Sequence, residues 1–423
     1  MGERFGTQLR AERTARGLSQ TQLGGEEYSP SYISLLELGH REPTPAVIAE
    51  LAGRLRLAPQ TLEAWNLGST PQEGAFLQAG LAARQAWDQR DYPESARQAG
   101  AAARHAHAAG NPAAWWEMAY LQAEALMRQG QTAQAALIAQ DILSAPLTGT
   151  SHALTVRARQ LLSALCLGLG EPAVAAAHAR AAVKASAPLP AGSPLAAAAL
   201  ISLIAALAES GRLEEAWEHC EALAPHSTQD TPGQAAGEAE WAIGSVAFLR
   251  GDPEEGARRH ERAARLLSPA NDLPLWARFN KASAAARLAG GITEPETLAA
   301  LERAEIAYSI VEANRAEQLE LALIRAHWLH LDGQHELALE HLGPIHRERH
   351  LLGHHTAGQA ALLHGQALTA IGRHQAALEH LRHAHAAFAR SGLDGSARTA
   401  EDAIAALPRT AAETRTPTSP APA

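Results

Sequence analysis

The stretch SPSYISLLELGHREPTP (residues 29–45) predicts one short helix between two turns. Ser29 followed by Pro30 is a favoured helix start, because the serine side chain caps a free backbone amide and proline fits the first helical position. Gly39 predicts the end of the helix, since glycine readily adopts the left-handed conformation there.

A helical wheel of about 100° per residue divides this helix into two sides. One side faces the domain and carries Ile33, Leu36 and Glu37. The opposite side carries Ser31, Leu35 and Leu38, with Ser34 beside them. The exposed side is therefore predicted to offer hydroxyls and leucines.

The flanking residues predict four more short helices, which makes residues 1–66 a five-helix domain. One helix covers residues 5–15, and a second is capped by Ser19 and carries Leu23. Thr44 and Pro45 open the fourth helix, and Pro59 opens the fifth.

This domain resembles the Cro/cI-type (XRE) helix-turn-helix family, which has the lambda-repressor-like fold. The resemblance rests on Leu18-Ser19-Gln20, Leu23, Tyr32-Ile33-Ser34, Glu37, Gly39 and Pro43. In that family the second helix crosses the DNA backbone and the third enters the major groove. The resemblance also implies an Arg13–Glu37 ion pair that ties the first helix to the third. One departure is the turn GGEEYSP (24–30), because Leu23 to Ile33 spans ten steps where the common pattern has eleven.

The resemblance implies double-stranded operator DNA as a partner. The expected DNA-binding residues are Ser19, Gln20, Ser29, Ser31, Tyr32, Ser34, Leu35, Leu38 and Arg41. Hydroxyls and leucines can contact base edges and thymine methyls, whereas Arg41 and Gln20 are expected at phosphates. Residues 1–65 contain seven arginines and eight glutamates, so one copy is expected to bind DNA weakly and two copies are needed.

The middle of the chain repeats a turn followed five residues later by a small residue. The hits are RDYPESA (90–96), GQTAQAA (130–136), GEPAVAA (170–176), GRLEEAW (211–217), GDPEEGA (251–257), GQHELAL (333–339) and GRHQAAL (372–378). Their spacing is about 40 residues, and GGITEPETLAALERA (290–304) fills the one double interval. This period predicts about eight units of two helices each. A glycine at each turn is expected in the left-handed conformation, and the small residue lets the two helices lie close together.

These repeats resemble the tetratricopeptide repeat, although the family period is shorter. The predicted fold is all-α: the five-helix domain, a linker at 67–76, a right-handed α-solenoid of about eight helix pairs at 77–407, and a disordered tail at 408–423. Such solenoids commonly bind peptides or partner proteins in a concave groove.

Two groups of side chains in the repeats are ambiguous. Trp115, Trp116, Trp241, Trp276 and Trp328 lie on the first helices of their units and either anchor a ligand in the groove or pack in the core. The last two repeats carry 13 histidines, expected mainly on solvated helix faces, with a metal site and a pH-sensitive groove as the alternatives.

No motif for catalysis, a phosphate loop, a cofactor or a metal stands out, so an enzyme is not expected. Cys166 and Cys220 form no CxxC, which favours a reducing cytoplasm and small buried thiols. The apolar run LAAAALISLIAALA (195–208) is too short to span a membrane and predicts a largely buried helix.

These features together predict a cytoplasmic transcriptional regulator that binds DNA as a homodimer and senses a peptide or protein ligand with its solenoid. The arrangement resembles the quorum-sensing regulators of the Rgg and PlcR type, in which re-imported peptides bind the concave groove. The alternative is a protein-interaction scaffold whose helix-turn-helix domain is a contact module without operator specificity.

Overall fold

The computed structural model describes residues 2–66, 71–190, 192–227, 233–311, 313–390 and 394–408. Within these ranges the regular structure is entirely helical. Contacts between residues divide the chain into two units, Met1–Pro188 and Leu189–Ala423, and each is described by itself.

The first unit begins with five short helices. They are α1 (Gly2–Ala15), α2 (Gln20–Gly24), α3 (Pro30–Glu37), α4 (Pro45–Leu55) and α5 (Pro59–Asn66). All five were predicted, and the caps at Ser19, Ser29 and Thr44 are confirmed. Their apolar faces meet in one core that contains Phe5 and Leu9, both fully buried.

Three pairs of longer helices complete the first unit. They are α6 (Pro71–Asp88) with α7 (Tyr92–Ala108), α8 (Pro112–Arg128) with α9 (Thr132–Ser144), and α11 (His152–Gly168) with α12 (Pro172–Ser186). A single turn of helix, α10 (Pro146–Gly149), lies between the second and third pairs. Helix α6 begins at Pro71 rather than at residue 77, so the helical array starts inside the segment predicted as a linker.

The second unit contains five further pairs and a final helix. The pairs are α13 (Pro194–Glu209) with α14 (Leu213–Leu223), α15 (Gly233–Leu249) with α16 (Pro253–Leu266), α17 (Leu273–Ala289) with α18 (Pro295–Ile310), α19 (Arg315–Leu331) with α20 (His335–Arg347), and α21 (His354–Ala370) with α22 (His374–Arg390). Helix α23 (Asp394–Ala405) follows the last pair. The described residues therefore contain the eight helix pairs that the repeat predicted, and all but the first residue of the predicted tail lie outside them.

A left-handed residue terminates the first helix of every pair. Seven of the eight are glycines, at 130, 170, 211, 251, 291, 333 and 372, with φ between 71° and 82°. The exception is Arg90 in the first pair, with φ 61°. This conformation turns the chain so that the second helix folds back on the first, as predicted.

The small residue five positions after the turn lies at the helix–helix contact. Ala135, Ala175, Ala216, Ala338 and Ala377 are fully buried. At Gly256 an added Cβ would lie 2.6 Å from a carbon of the Phe248 ring, so the helices approach too closely there for any side chain. The prediction of close helix packing is confirmed.

Helix α13 contains the apolar run at 195–208, and several of its residues are only half-buried. No helix among the described residues combines the length and apolar character that a membrane span requires. Cys166 and Cys220 are buried free thiols, as predicted, and burial raises the pKa of Cys220 to about 12.

Candidate functional site

Helix α3 is delimited by the residues that the sequence indicates. The Oγ of Ser29 accepts a hydrogen bond of 3.2 Å from the amide of Tyr32. At the other end Gly39 has φ 73°, and the amide of His40 donates to the carbonyl of Leu35 at 2.9 Å. The helix therefore has two defined ends and presents eight residues in a fixed orientation.

The two sides of α3 differ as predicted. Ile33 and Leu36 are fully buried and Glu37 is 7% exposed. On the other side Leu35 is 39% exposed and Leu38 is 51% exposed, with Ser31 exposed and Ser34 half-buried. Two leucines in contact with water are the distinctive feature of this surface, since most large apolar residues of the domain are buried.

Glu37 ties α3 to α1 and α2. Arg13 donates to its two carboxylate oxygens over 2.5 and 3.0 Å, and a further guanidinium nitrogen of Arg13 donates to the Leu18 carbonyl at 2.8 Å. Desolvation by burial acts to raise the pKa of Glu37, but the hydrogen bonds from Arg13 and Gln20 hold that pKa below its ordinary value. The ion pair implied by the family resemblance is confirmed.

Gln20 is placed differently from the expectation that it contacts a phosphate. Its side-chain amide donates to Glu37 at 2.8 Å, which makes it the third member of the network. The Gln20 amide therefore satisfies an acceptor of the buried Glu37 carboxylate. It reaches Glu37 because Gln20 lies in the first turn of α2, beside the end of α3.

Ser19 and Ser29, both expected at the DNA, have their oxygens engaged as helix caps. Ser19 Oγ accepts a hydrogen bond from the backbone amide of Gln22 at 3.1 Å, and the backbone amide of Ser19 donates to Oε1 of Gln22 at 2.8 Å. Both serines are exposed, and each hydroxyl keeps its proton free to donate to an acceptor outside the domain.

Tyr32 and Arg41 contact each other. The guanidinium carbon of Arg41 lies 5.0 Å from the centre of the Tyr32 ring, within the range of a cation–π contact. The Tyr32 ring also stacks on Tyr28, with centroids 5.3 Å apart. Tyr32 is half-buried and orients Arg41, which is the exposed cation adjoining the end of α3.

Sequence reasoning missed the residue that holds the shortened turn between α2 and α3. Arg54 on α4 donates to the carbonyls of Leu23 and Gly24 and pairs with Glu27 and Glu50. The contact with Leu23 measures 3.1 Å and joins residues 31 apart, which no local pattern could indicate. Arg54 therefore joins α4 to the end of α2 and to the shortened turn.

The five tryptophans do not share one surface. Trp116 is 7% exposed, stacks on Tyr120 and donates from its indole nitrogen to Thr148 at 2.9 Å, so it belongs to the core. Trp241 packs edge-on against Phe279, with centroids 5.7 Å apart. Trp276 and Trp328 are half-buried against the cluster of α17 and α18.

Trp115 lines a cavity. A pocket of about 1100 Å³ lies between α7, α8, α9 and α10, and Trp115, Ile138 and Leu147 form part of its wall. Arg104 and Asp141 supply opposite charges at its edge. Of the five tryptophans for which both a groove and a core position were open, Trp115 and Trp276 line pockets, and the pocket at Trp276 is smaller, about 420 Å³.

Of the 13 histidines expected mainly on solvated faces, five are exposed as expected and eight are half-buried. His327, His330, His346, His364 and His380 have their pKa lowered, in each case mainly because burial desolvates the ring. In the described part of the chain, no three His, Cys, Asp or Glu side chains are placed to hold a metal ion.

Comparison with known proteins agrees with this geometry. A family model described as a helix-turn-helix domain matches residues 4–65. No curated protein matches the chain by sequence.

Two solved structures are similar to the chain. One is a Rap protein complexed with Competence and Sporulation Factor, at 12% identity and a TM-score of 0.54 over 84% of this chain and 94% of that chain. The other is PlcR of Bacillus thuringiensis in complex with the peptide PapR7 and DNA, at 14% identity and a TM-score of 0.31 over 73% of this chain and 96% of that chain. Residues 4–65 are a helix-turn-helix domain, and 84% of the chain shares its helical-repeat fold with the Rap protein.

Proposed function

We propose that this protein is a transcriptional regulator that binds operator DNA with α3 in the major groove. The observation that carries the proposal is the exposure of Leu35 and Leu38 beside Ser31, on a helix whose opposite side is buried and held by Arg13. An exposed apolar face on the third helix of a helix-turn-helix domain suits contact with base edges.

The proposed contacts divide into base-edge and backbone contacts. Leu35 and Leu38 would touch thymine methyls, and Ser31 and Ser34 would bond to base edges. Arg41, held against the Tyr32 ring, is placed to meet a phosphate, as are the caps Ser19 and Ser29.

The proposal includes a homodimer. Arg13, Arg16 and Arg54 are paired with glutamates inside the domain, so one copy has few cations for phosphates. Two copies on a palindromic site, with half-sites about 34 Å apart, would provide the missing affinity.

We further propose that the repeats sense a peptide or protein ligand in the cytoplasm and that no catalytic step is involved. The support is the pocket lined by Trp115, whose apolar wall and charged edge suit a short peptide. The complex of the Rap protein with Competence and Sporulation Factor motivates the same proposal.

The test of DNA binding is selection of bound duplexes from a random pool by the full chain, followed by fluorescence anisotropy with the selected sequence at two salt concentrations. Ser31→Glu should abolish specific binding because it places a negative charge against DNA. Thr61→Glu, an exposed site on α5, adds the same charge and should reduce the affinity far less.

If no sequence is enriched, or if the two variants behave alike, the regulator proposal is wrong and the interaction-scaffold alternative is favoured. The ligand proposal is tested separately. A cell extract fractionated for peptides should raise the thermal stability of the wild type but not of Trp115→Ala.

A further inference from the structure

A second pocket, of about 520 Å³, lies in the last two repeats between α20, the segment that follows it, α21 and α22. Three arginines line it: Arg347, Arg349 and Arg390. Five histidines line it as well: His346, His350, His354, His364 and His383. Among the described residues, no aspartate or glutamate forms part of its wall, in a chain whose formal net charge is −9.

The three arginines have no carboxylate partner among the described residues. Elsewhere in these repeats arginines are paired across helices, for example Arg325 with Glu305 over 2.6 Å. Glu348, which lies between Arg347 and Arg349 in the sequence, is paired with Arg315 at 2.5 Å and does not line the pocket. Their positive charge is therefore left to solvent or to a ligand.

A layer of histidine rings lies against the inner end of the pocket. His364 and His380 stack with centroids 3.8 Å apart and planes 15° apart, and the His346 ring lies 4.7 Å from that of His380. Parallel rings cannot direct their in-plane nitrogen lone pairs at one ion, which argues against a metal site. Burial, and then the neighbouring histidines, lower the pKa of His364 to about 4, so the ring is a neutral donor and acceptor near pH 7.

The pocket also has an apolar wall, formed by Leu342, Ile345 and Leu352 with alanines of α21. Its volume falls within the range typical of small-molecule sites. A simple inorganic anion would leave this wall uncovered. The lining therefore suits a molecule with both a charged and an apolar part.

We propose that this pocket binds a small phosphorylated organic molecule, with its phosphates on Arg347, Arg349 and Arg390 and its apolar part against Leu342, Ile345 and Leu352. Guanidinium groups match phosphate geometry with paired hydrogen bonds, and three of them favour an anion with two or more negative charges. The site is an effector pocket in addition to the ligand site lined by Trp115, and it does not depend on the proposed DNA binding.

The experiment is isothermal titration calorimetry of the full chain without magnesium, with adenosine 5′-diphosphate, pyrophosphate, citrate and adenosine as probes. We expect adenosine 5′-diphosphate to bind more tightly than pyrophosphate, and adenosine to bind at least tenfold more weakly. Arg347→Gln combined with Arg390→Gln should weaken that binding about tenfold or more, since each removes a charge-assisted hydrogen bond. Arg382→Gln, an exposed arginine on α22 outside the pocket, should leave it within about twofold.

Four results would overturn the proposal. In the first, neither phosphorylated probe binds with a dissociation constant below about 1 mM; in the second, citrate binds more tightly than both phosphorylated probes. In the third, adenosine binds as tightly as adenosine 5′-diphosphate. In the fourth, the double variant and Arg382→Gln lose the same amount of affinity. The arginines are exposed, so their replacement leaves the fold intact, and unchanged thermal unfolding of the unliganded variants checks this.

Discussion

Replacing Glu37 with glutamine tests whether the buried network sets the position of α3. The Glu37 side chain is 3% exposed and the Arg13 side chain is 11% exposed, so the pair is shielded from water. Removing one partner of a buried pair typically costs about 3–5 kcal/mol, because the other charge stays buried without compensation. Glutamine keeps the shape and one acceptor oxygen, so we expect the lower end of that range, about 3 kcal/mol.

The assay is hydrogen exchange of the backbone amides of α1 and α3 in the full chain. A loss of about 3 kcal/mol corresponds to a fall in protection of roughly a hundredfold at amides that exchange through unfolding of the domain. DNA affinity, if the proposed function is right, falls with it because the reading helix is no longer fixed.

Glu12→Gln is the matched control. Glu12 also pairs with an arginine, Arg16, but the two side chains are 33% and 32% exposed. An exposed pair four residues apart contributes about 0.3–0.5 kcal/mol, so protection should fall by no more than about threefold. Equal effects of the two substitutions would refute the assignment of Glu37 as the residue that fixes α3.

Three further substitutions test the repeats. His260 is 1% exposed and its pKa is lowered to about 3, mainly by burial, so the unfolded chain binds the extra proton below pH 6.5 and stability falls as the pH falls. In urea, the free energy of unfolding should fall by about 2 kcal/mol between pH 7 and pH 5 because of this residue, and His260→Gln should remove that part of the fall. A fall between pH 7 and pH 5 that is the same in the variant as in the wild type contradicts this. Gly211→Ala should lower the melting temperature, at a cost of about 1 kcal/mol, because φ is 71°, whereas Gly53→Ala inside α4, with open space around it, should raise it. Thr148→Val removes the hydrogen bond from the indole nitrogen of Trp116 and the one that the Thr148 hydroxyl donates to the carbonyl of Ile142, so it should lower the free energy of unfolding in urea by about 1–3 kcal/mol. If the bond to Trp116 matters, Thr148→Val should cost less in a Trp116→Phe background, and an equal cost contradicts this.

The helices and their turns could be predicted because their signals are local. Ser29 caps an amide three residues away, and the glycine at 130 closes the helix that precedes it. Arg90 shows the limit of local signals. No glycine stands at that turn, and the turn was predicted from the repeat period instead. Helix existence therefore followed from patterns within about ten residues.

Side-chain partners were predicted only where the family resemblance supplied them. Arg13 and Glu37 were paired in this way, and the structure confirms it. The bond from Gln20 to Glu37 and the bonds from Arg54 to the carbonyls of Leu23 and Gly24 were not predicted, because they join residues 17, 31 and 30 apart and depend on how helices pack. Trp116 could not be assigned to core or groove, since both choices place a tryptophan on the first helix of a unit.

The histidines show why composition alone misleads in an alanine-rich repeat. Alanine leaves space between helices, so a half-polar ring such as His364 or His380 can fill volume that leucine fills in other cores. The frequency of histidine in the last repeats suggested solvated faces, but helix packing places His346, His364 and His380 in a layer between α20, α21 and α22.

Local pairing, and not net charge, decides where this chain can hold an anion. The helix-turn-helix domain has seven arginines, yet Arg13 and Arg54 are bound to glutamates that the fold requires. The last repeats leave Arg347 and Arg390 unpaired beside an apolar wall in a chain of net charge −9. If DNA binds the first region, its affinity must come mainly from α3 contacts and from two copies, so its dependence on salt should be shallow. A small phosphorylated ligand in the last repeats would instead meet concentrated positive charge, and its affinity should fall steeply as salt rises.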